Sequence, residues 1–566
     1  MTITTTVPGY RRNAMRRSGA WNDRIITDYL VQAIAERPQT AAIVSYRSTP
    51  RQRSVLTYQA LGAVVDRLAA GLAALGVAKG AVVSCQLPNG WPLSALHMAC
   101  VRIGAVFNPL MPIFREHELR FMLSHAESRV LVVPQRFRGF DYAAMIDGLR
   151  DELPALAHLL VIDSDDDNRS FQRVLLDRPW ETETDTAALF AERRPAADEV
   201  VQLLYTSGTT GEPKGVLHSS NTLWSNVRPY AERLKLDSDD IVYMASPLAH
   251  QTGFLYGLMM PVYLQSTSVL QDVWDPALAV EVAQAEQPTF TMASTPFLAD
   301  LIEVAPAHRQ ALASLRIFVS AGAPIPGALV ERAAAAINAR VVSAWGMTEN
   351  GAVTMTHPND PTERAVHSDG IALPHMEVRV ADEHGVELPR GEEGNLLVRG
   401  ASLFVGYLKR PDLYTLDAQG WFPTGDLARM DAEGYIRITG RTKDVVIRGG
   451  ENVPVVEIEN LLYKHPAISA VALVGCPDAR LGERLCAYVT LHDGHASLSL
   501  PEVVDFLLAQ RLTRNYLPEY LEVLPALPRT PSGKIQKFKL REQALQLSLA
   551  PAPSSATTIP PSGELQ

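Results

Sequence analysis

One segment, Thr206-Ser-Gly-Thr-Thr-Gly-Glu-Pro-Lys-Gly215, limits what this chain can fold into more than any other. It follows an apolar run, Val200-Val-Gln-Leu-Leu-Tyr205, that reads as a buried strand. A strand that empties into three glycines, four hydroxyls and one lysine can turn tightly and aim many donors at one point. Backbone N–H groups, hydroxyls and Lys214 together suit a polyphosphate. The loop is not the G-x-x-x-x-G-K-[ST] type, because Lys214 lies three residues after Gly211 and is followed by Gly215. The competing reading is a solvated Gly/Thr turn.

A chain of 566 residues exceeds what one hydrophobic core supports and implies at least two domains. Through about residue 370, short β-rich runs alternate with Ala/Leu-rich helical ones. The β runs include 41–44, 130–133, 241–244, 289–292 and 317–320, with helical patterns at 58–75 and 326–339. Such alternation predicts α/β architecture with largely parallel sheets. Between 378 and 438 the texture changes to short strands and Gly-centred turns, which predicts a small antiparallel β subdomain. After Gly440 a compact α+β unit begins, with helices near 455–464 and 501–512 and strands at 470–474 and 485–491.

The net charge of −10 argues against nucleic acid as a partner. Four scattered cysteines without a C-x-x-C pair read as reduced, buried thiols of a cytoplasmic protein and argue against structural zinc. No uninterrupted apolar stretch of spanning length occurs, so no integral membrane association is expected. The N-terminal Arg11, Arg12, Arg16 and Arg17 lack the apolar core of a signal peptide and read as a flexible arm in preference to a weak membrane-surface contact. The Pro/Ser/Thr-rich tail reads as disordered.

Further segments follow the glycine-rich loop in order: Ser320-Ala-Gly-Ala-Pro324, Ala344-Trp-Gly-Met-Thr-Glu349, Thr424-Gly-Asp426, Gly440-Arg-Thr-Lys-Asp444, Arg448-Gly-Gly-Glu-Asn452 and Pro531-Ser-Gly-Lys534. Together they resemble the motifs of the adenylate-forming superfamily: acyl-CoA synthetases, adenylation domains of peptide synthetases and luciferases. The segment Gly104-Ala-Val-Phe-Asn-Pro-Leu-Met-Pro-Ile-Phe-Arg115 is similar to medium-chain and cyclohexanecarboxylate CoA ligases. The resemblance implies an α/β fold: a large N-terminal domain of α/β subdomains with a small β-barrel-like subdomain, then a small mobile α+β C-terminal domain. The expected boundaries are 1–440, 441–548 and a disordered tail at 549–566.

It also implies roles for particular residues. Thr206, Ser207, Gly208, Thr209, Thr210, Gly211 and Lys214 would hold the ATP phosphates. Gly322, Ala323 and Pro324 would lie against adenine, with Trp345, Gly346 and Met347 beside them. Trp345 departs from the tyrosine usual at its position and brings a different polar handle. Thr348 would contact the α-phosphate, Glu349 and Thr206 would bind Mg²⁺, and Asp426 would hold the ribose with help from Arg441. Lys534 would bridge the acyl carboxylate and the α-phosphate, Lys443 would be the hinge, and His250 would gate the passage between acyl pocket and thiol tunnel.

The implied reaction joins an acid to CoA through an acyl-adenylate. Phe254, the turn near Gly322 and residues 346–354 would form an apolar acyl pocket, suited to a medium-chain aliphatic or alicyclic acid. The expected co-substrates are ATP and CoA with Mg²⁺, and a homodimer is one assembly the resemblance allows. Three other readings stay open: an acyl-AMP ligase that loads a carrier protein, a luciferase-like oxygenase that would share every motif, and a non-catalytic nucleotide-binding regulator. The regulator predicts losses among Lys214, Glu349, Asp426, Arg441 and Lys534, all of which are present.

Overall fold

The computed structural model describes Ile3 and residues 7–206, 212–322, 325–442, 444–448, 451–478, 480–530 and 533–549. The chain divides into two compact units. The first takes in residues 1–438 and the short segment 531–534; the second takes in 439–530 and 535–566. Apart from Leu549, the expected disordered tail lies outside the described residues.

Two large sheets build the first unit. In the nine-stranded one, Arg340–Met347, Ile317–Ser320, Phe290–Ala293, Ile241–Met244, Thr267–Gln271 and Ala41–Ser48 run parallel in that spatial order. The seven-stranded sheet has a parallel centre, Val200–Thr206, Val106–Pro109, Val82–Cys85, Val130–Pro134 and His158–Ile162. Strands such as Val82–Cys85, Val130–Pro134 and Ile317–Ser320 are buried at every position, as strands covered on both faces must be. That is why they read as continuous apolar runs rather than alternating ones.

One core joins the two sheets through helices Ile26–Glu36, Tyr58–Ala74, Trp91–Arg102 and Ser220–Leu234, with Phe107, Trp224, Phe254 and Phe290 among its large side chains. Tyr58 is fully buried there, and its hydroxyl lies 3.0 Å from the Pro261 carbonyl and 2.8 Å from that of Ser266. Helix Tyr58–Ala74 starts where its sequence places a cap: the Thr57 hydroxyl accepts from the Ala60 N–H.

The small β subdomain is a four-stranded antiparallel sheet of Met376–Ala381, Glu393–Gly400, Phe422–Met430 and Ile436–Arg441. Its core includes Trp345 and Tyr407, which brings it beneath the motif residues. In the second unit, Glu451–Val453, Val446–Arg448, Gly482–Leu491 and Ile468–Asp478 pair antiparallel, and Tyr520–Val523 runs parallel to Gly482–Leu491. Strand Ile468–Asp478 outruns the expected 470–474 because Gly475 and Pro477 do not stop it. A Cβ at residue 475 would displace the nearby Glu483 carboxylate, and an Arg484–Asp478 ion pair closes the end of the ladder.

The N-terminus corrects the expectation of a flexible arm. Gly9–Arg17 is a helix, and Arg11 is buried, donating to the carbonyls of Gly400, Leu403 and Phe404 and to the Tyr414 hydroxyl. Arginine-rich composition suggested solvation, but a guanidinium has five donors and can be buried where carbonyls converge. Among the described residues, no helix is long and apolar enough to cross a membrane.

Tyr58→Phe is expected to lower stability by about 1–3 kcal/mol, because it strands two buried carbonyls without a donor. Denaturant midpoints of the variant and parent chains measure this.

Candidate active site

Four neighbouring parallel strands end on one edge, and three of them lead into segments that carry predicted site residues. His250 lies beyond Ile241–Met244, Ser294 follows Phe290–Ala293, Gly322 follows Ile317–Ser320, and Thr348 and Glu349 follow Arg340–Met347. Ligand sites of open α/β sheets form at this carboxyl edge, where loops are free to diverge. The glycine-rich loop joins Val200–Thr206 to Lys214–Ser219 in the other sheet, and its two rims face each other as the pair Thr206 and Lys214. Of the predicted phosphate-binding residues, Ser207, Gly208, Thr209, Thr210 and Gly211 lie outside the described residues, as do Ala323, Pro324 and Lys443.

The turn at Thr348–Glu349 is pinned from several directions. Gly346 admits it: a Cβ there would overlap the Gly351 carbonyl. Met347 N–H donates to Asn350 Oδ1, and Asn226 Nδ2 donates to the carbonyls of Asn350 and Ala352. Tyr256 in turn donates to Asn226 Oδ1 at 2.6 Å. His218 Nε2 sits 2.8 Å from the Thr348 carbonyl. Burial drives the His218 pKa down to about 4, so the ring is neutral near pH 7 and carries its proton on Nε2, facing that acceptor.

Glu349 itself is buried, and its Oε1 accepts from the Tyr407 hydroxyl at 2.7 Å. No ion pair reaches it among the described residues. Burial raises its pKa, opposed by the Tyr407 hydrogen bond, a backbone hydrogen bond and the charges of Lys214 and Lys534. Lys214 Nζ stands 5.2 Å from the centre of the Tyr407 ring. Three of the predicted residues, Lys214, Glu349 and Lys534, therefore share one electrostatic neighbourhood.

Lys534 reaches this region because Gly533 does. With φ at +83°, Gly533 packs so closely that a Cβ would stand 2.5 Å from Ser294 Oγ. The Lys534 stem then passes Gly322, where an added Cβ would meet its Cε at 3.8 Å. His250 also feels Lys534: burial first, then that positive charge, lowers its pKa to about 3. The imidazole is thus neutral, and its Nδ1 accepts from the Thr252 N–H, capping the turn that leads to Phe254.

Trp345 uses its polar handle on a second motif: its indole N–H donates to Asp426 Oδ2 at 2.9 Å. Asp426 is buried, and its N–H donates to Thr424 Oγ1 at 3.0 Å. The buried Asp369 lies near enough to Asp426 for their charges to interact, and burial raises its pKa. Arg441 ends the strand Ile436–Arg441 and belongs to the second unit. Sequence reasoning missed His218, Asn226, Tyr256 and Tyr407, which touch the site only through its backbone and carboxylate. The one available signal was a histidine and a tyrosine inside otherwise apolar runs, Val216-Leu-His218 and Val405-Gly-Tyr407.

A pH dependence follows for any step that needs Glu349 ionised. The Tyr407 hydroxyl favours the charged form, so Tyr407→Phe raises the Glu349 pKa further. The acidic limb of ATP–pyrophosphate exchange is expected to move to higher pH, and Lys214→Met should move it the same way. A limb that stays in place in both variants would refute this. Trp345→Phe, which removes one hydrogen bond to a charged group, should raise KM for ATP by up to about tenfold, read from initial rates.

Comparison with known proteins came to one answer. Residues 30–408 match the AMP-binding enzyme model, and residues 457–534 match the AMP-binding enzyme C-terminal domain. The chain is 36% identical to a medium-chain fatty-acid–CoA ligase of Escherichia coli K12 over 96% of this chain and 95% of that one. It is 32% identical to a salicylyl-CoA synthase/salicylate adenylyltransferase of a Streptomyces species, over 93% and 95%. Among solved structures, ATP-bound MatB of Rhodopseudomonas palustris superposes with a TM-score of 0.79 at 27% identity, covering 92% of this chain and 99% of that one. A buried carboxylate that feels the charges of two lysines, at the carboxyl edge of a parallel sheet, thus sits in a chain that belongs to the AMP-binding enzyme family of adenylate-forming enzymes, near its medium-chain CoA ligases.

Proposed function

We propose that this protein is an AMP-forming acid:CoA ligase that activates a medium-chain aliphatic or alicyclic acid with ATP and passes the acyl group to CoA. The observation that carries the reading is the grouping of Lys214, Glu349 and Lys534 around one buried turn. Near-full-length similarity to a medium-chain fatty-acid–CoA ligase supports the substrate class.

In the first step a carboxylate oxygen of the acid attacks the α-phosphorus of ATP and pyrophosphate leaves. Catalysis here is positioning and charge neutralisation. Lys214 and the loop 206–215 would hold the β- and γ-phosphates, and Thr348 would contact the α-phosphate. Asp426 has Oδ2 engaged by Trp345 and would accept from the ribose hydroxyls, with Arg441 beside them. Lys534 would sit between the acyl carboxylate and the α-phosphate, drawing two anions together.

The residues present fit a hard divalent cation. Glu349 is a buried carboxylate outside any ion pair among the described residues, and Thr206 offers a hydroxyl at the loop rim. Among the described residues no cluster of three or more His, Cys, Asp or Glu forms a protein cage. Mg²⁺ that arrives with a nucleotide needs only one or two carboxylates beside the phosphates. When bound by Glu349 and Thr206 it would supply further positive charge on the phosphate oxygens.

In the second step the CoA thiolate attacks the acyl carbon and AMP leaves. His250, neutral and beside Phe254, would act as a gate by its shape rather than as a base. Lys443 is proposed as the hinge that exchanges the two steps' surroundings. Four free, buried cysteines support a reducing compartment, which we take to be the cytoplasm. A homodimer is the assembly to test by light scattering.

A mass-spectrometric product assay with MgATP, with and without CoA, tests the reading across acids from acetate to palmitate, with cyclohexanecarboxylate, benzoate and salicylate. Acyl-CoA and AMP are expected from the medium-chain and alicyclic acids. Acyl-adenylate that accumulates and never reaches CoA would sink the reading in favour of a carrier-protein acceptor. Lys534→Ala should slow adenylation by about 10²–10³-fold while sparing thioester formation from supplied acyl-adenylate.

A further inference from the structure

The N-terminal helix ends up coupled to Glu349 through one loop. Among the described residues, Arg11 has no carboxylate partner. Instead its Nη1 donates to the Phe404 carbonyl at 3.2 Å and to the Tyr414 hydroxyl at 2.8 Å, and its Nη2 donates to the carbonyls of Gly400 and Leu403. Tyr414 completes the ring by donating to the Phe404 carbonyl at 3.1 Å. Trp21, four residues past the helix, donates its indole N–H to the Ala401 carbonyl at 3.0 Å. Carbonyls on one side of the loop 400–404 are therefore drawn toward the N-terminal segment.

The other side of the same loop faces the site. Phe404 N–H donates to the Glu349 carbonyl at 2.7 Å, and Ser402 Oγ donates to the Asn350 carbonyl at 2.8 Å. The loop then runs into Gly406–Tyr407, which pairs with Lys214–Ser219, and Tyr407 donates to the Glu349 carboxylate. The Leu403–Phe404 peptide is the pivot: its carbonyl, from Leu403, takes Arg11, and its N–H, from Phe404, holds the Glu349 carbonyl. A peptide group is planar and rigid, so this one ties the N-terminal helix to the Glu349 backbone directly, and with the pairing of Gly406–Tyr407 at the far end it anchors both ends of the short run that presents Tyr407.

We propose that Arg11 is a positioning residue for the metal-binding carboxylate, acting through the 400–407 loop and the Tyr407 hydroxyl on Glu349. This rests on the assignment of Glu349 to the metal. The N-terminal helix precedes the segment matched by the AMP-binding model, so that family match alone gives it no role. Its function is to keep one carboxylate oxygen engaged by Tyr407 and the other turned toward the nucleotide.

The test measures metal binding rather than turnover. Mn²⁺ is titrated by electron paramagnetic resonance into full-length enzyme holding α,β-methylene-ATP, which cannot release pyrophosphate. Arg11→Met should weaken Mn²⁺ by about tenfold, the usual effect of removing a group that orients a ligand. Tyr407→Phe should give a similar loss, and the double variant should lose little more than either, because both act along one path. AMP affinity, which reads the Asp426 side, should stay unchanged in all of them.

Unchanged Mn²⁺ affinity in Arg11→Met would overturn the proposal. So would Mn²⁺ and AMP affinities falling together, the mark of a loosened fold, or full additivity with Tyr407→Phe. If Arg11→Met does not fold, Tyr414→Phe, which removes one donor to the Phe404 carbonyl, takes its place, with a smaller loss that is again non-additive with Tyr407→Phe. Glu349→Gln separates the two layers of the argument. If it too leaves Mn²⁺ binding unchanged, the metal assignment has failed and the proposal falls with it. If it weakens Mn²⁺ while Arg11→Met does not, only the proposal falls.

Discussion

Keeping a carboxylate ionised away from water is costly unless oriented dipoles replace its hydration. Glu349 is in that position: burial alone would push it toward the neutral acid, and no ion pair holds it among the described residues. What offsets the cost is a set of hydrogen bonds and distant charges. The Tyr407 hydroxyl serves the carboxylate, His218, Asn226, Ser402 and the Phe404 N–H hold the backbone on either side of it, and Lys214 and Lys534 act electrostatically. A carboxylate left partly uncompensated in this way is poised to accept a cation that arrives with a substrate.

Rigid sheets make the arrangement possible. Parallel strands buried on both faces cannot slip, since each side chain is locked in a packed layer. Their carboxyl ends therefore deliver His250, Ser294, Gly322 and Glu349 at fixed spacing along one edge. Irregular segments complete what the strands begin. Gly346 and Gly533 are glycines because backbone or side chain approaches too closely for a Cβ, and each lets a charged neighbour, Glu349 or Lys534, come within reach.

Histidine shows how burial assigns roles. His218 and His250 both fall well below the ordinary imidazole pKa, for the shared reason that the protein has displaced water, with Lys534 adding to the effect at His250. Neither is a proton shuttle at neutral pH. One works as a fixed donor to a carbonyl, the other as the cap of a short helical turn. A thiolate nucleophile that is already ionised needs no base, so a site for thioester formation can dispense with one.

The sequence by itself determined the strand–helix alternation, the glycine-rich loop after Val200–Thr206, the order of the later motifs and, through them, the family. These are local patterns: an apolar run, a turn composition, a short spacing, each readable within a dozen residues. Tertiary structure alone decided who supports the motifs. Tyr407 lies 58 residues from Glu349, His218 lies 130 from Thr348, and Arg11 lies 393 from the Phe404 carbonyl it holds. No periodicity links such positions, because hydrogen bonds between distant segments depend on where two sheets and a loop meet. Even Trp345, visible as a departure from tyrosine, revealed its partner Asp426 only when the strand carrying it was packed against the small antiparallel sheet.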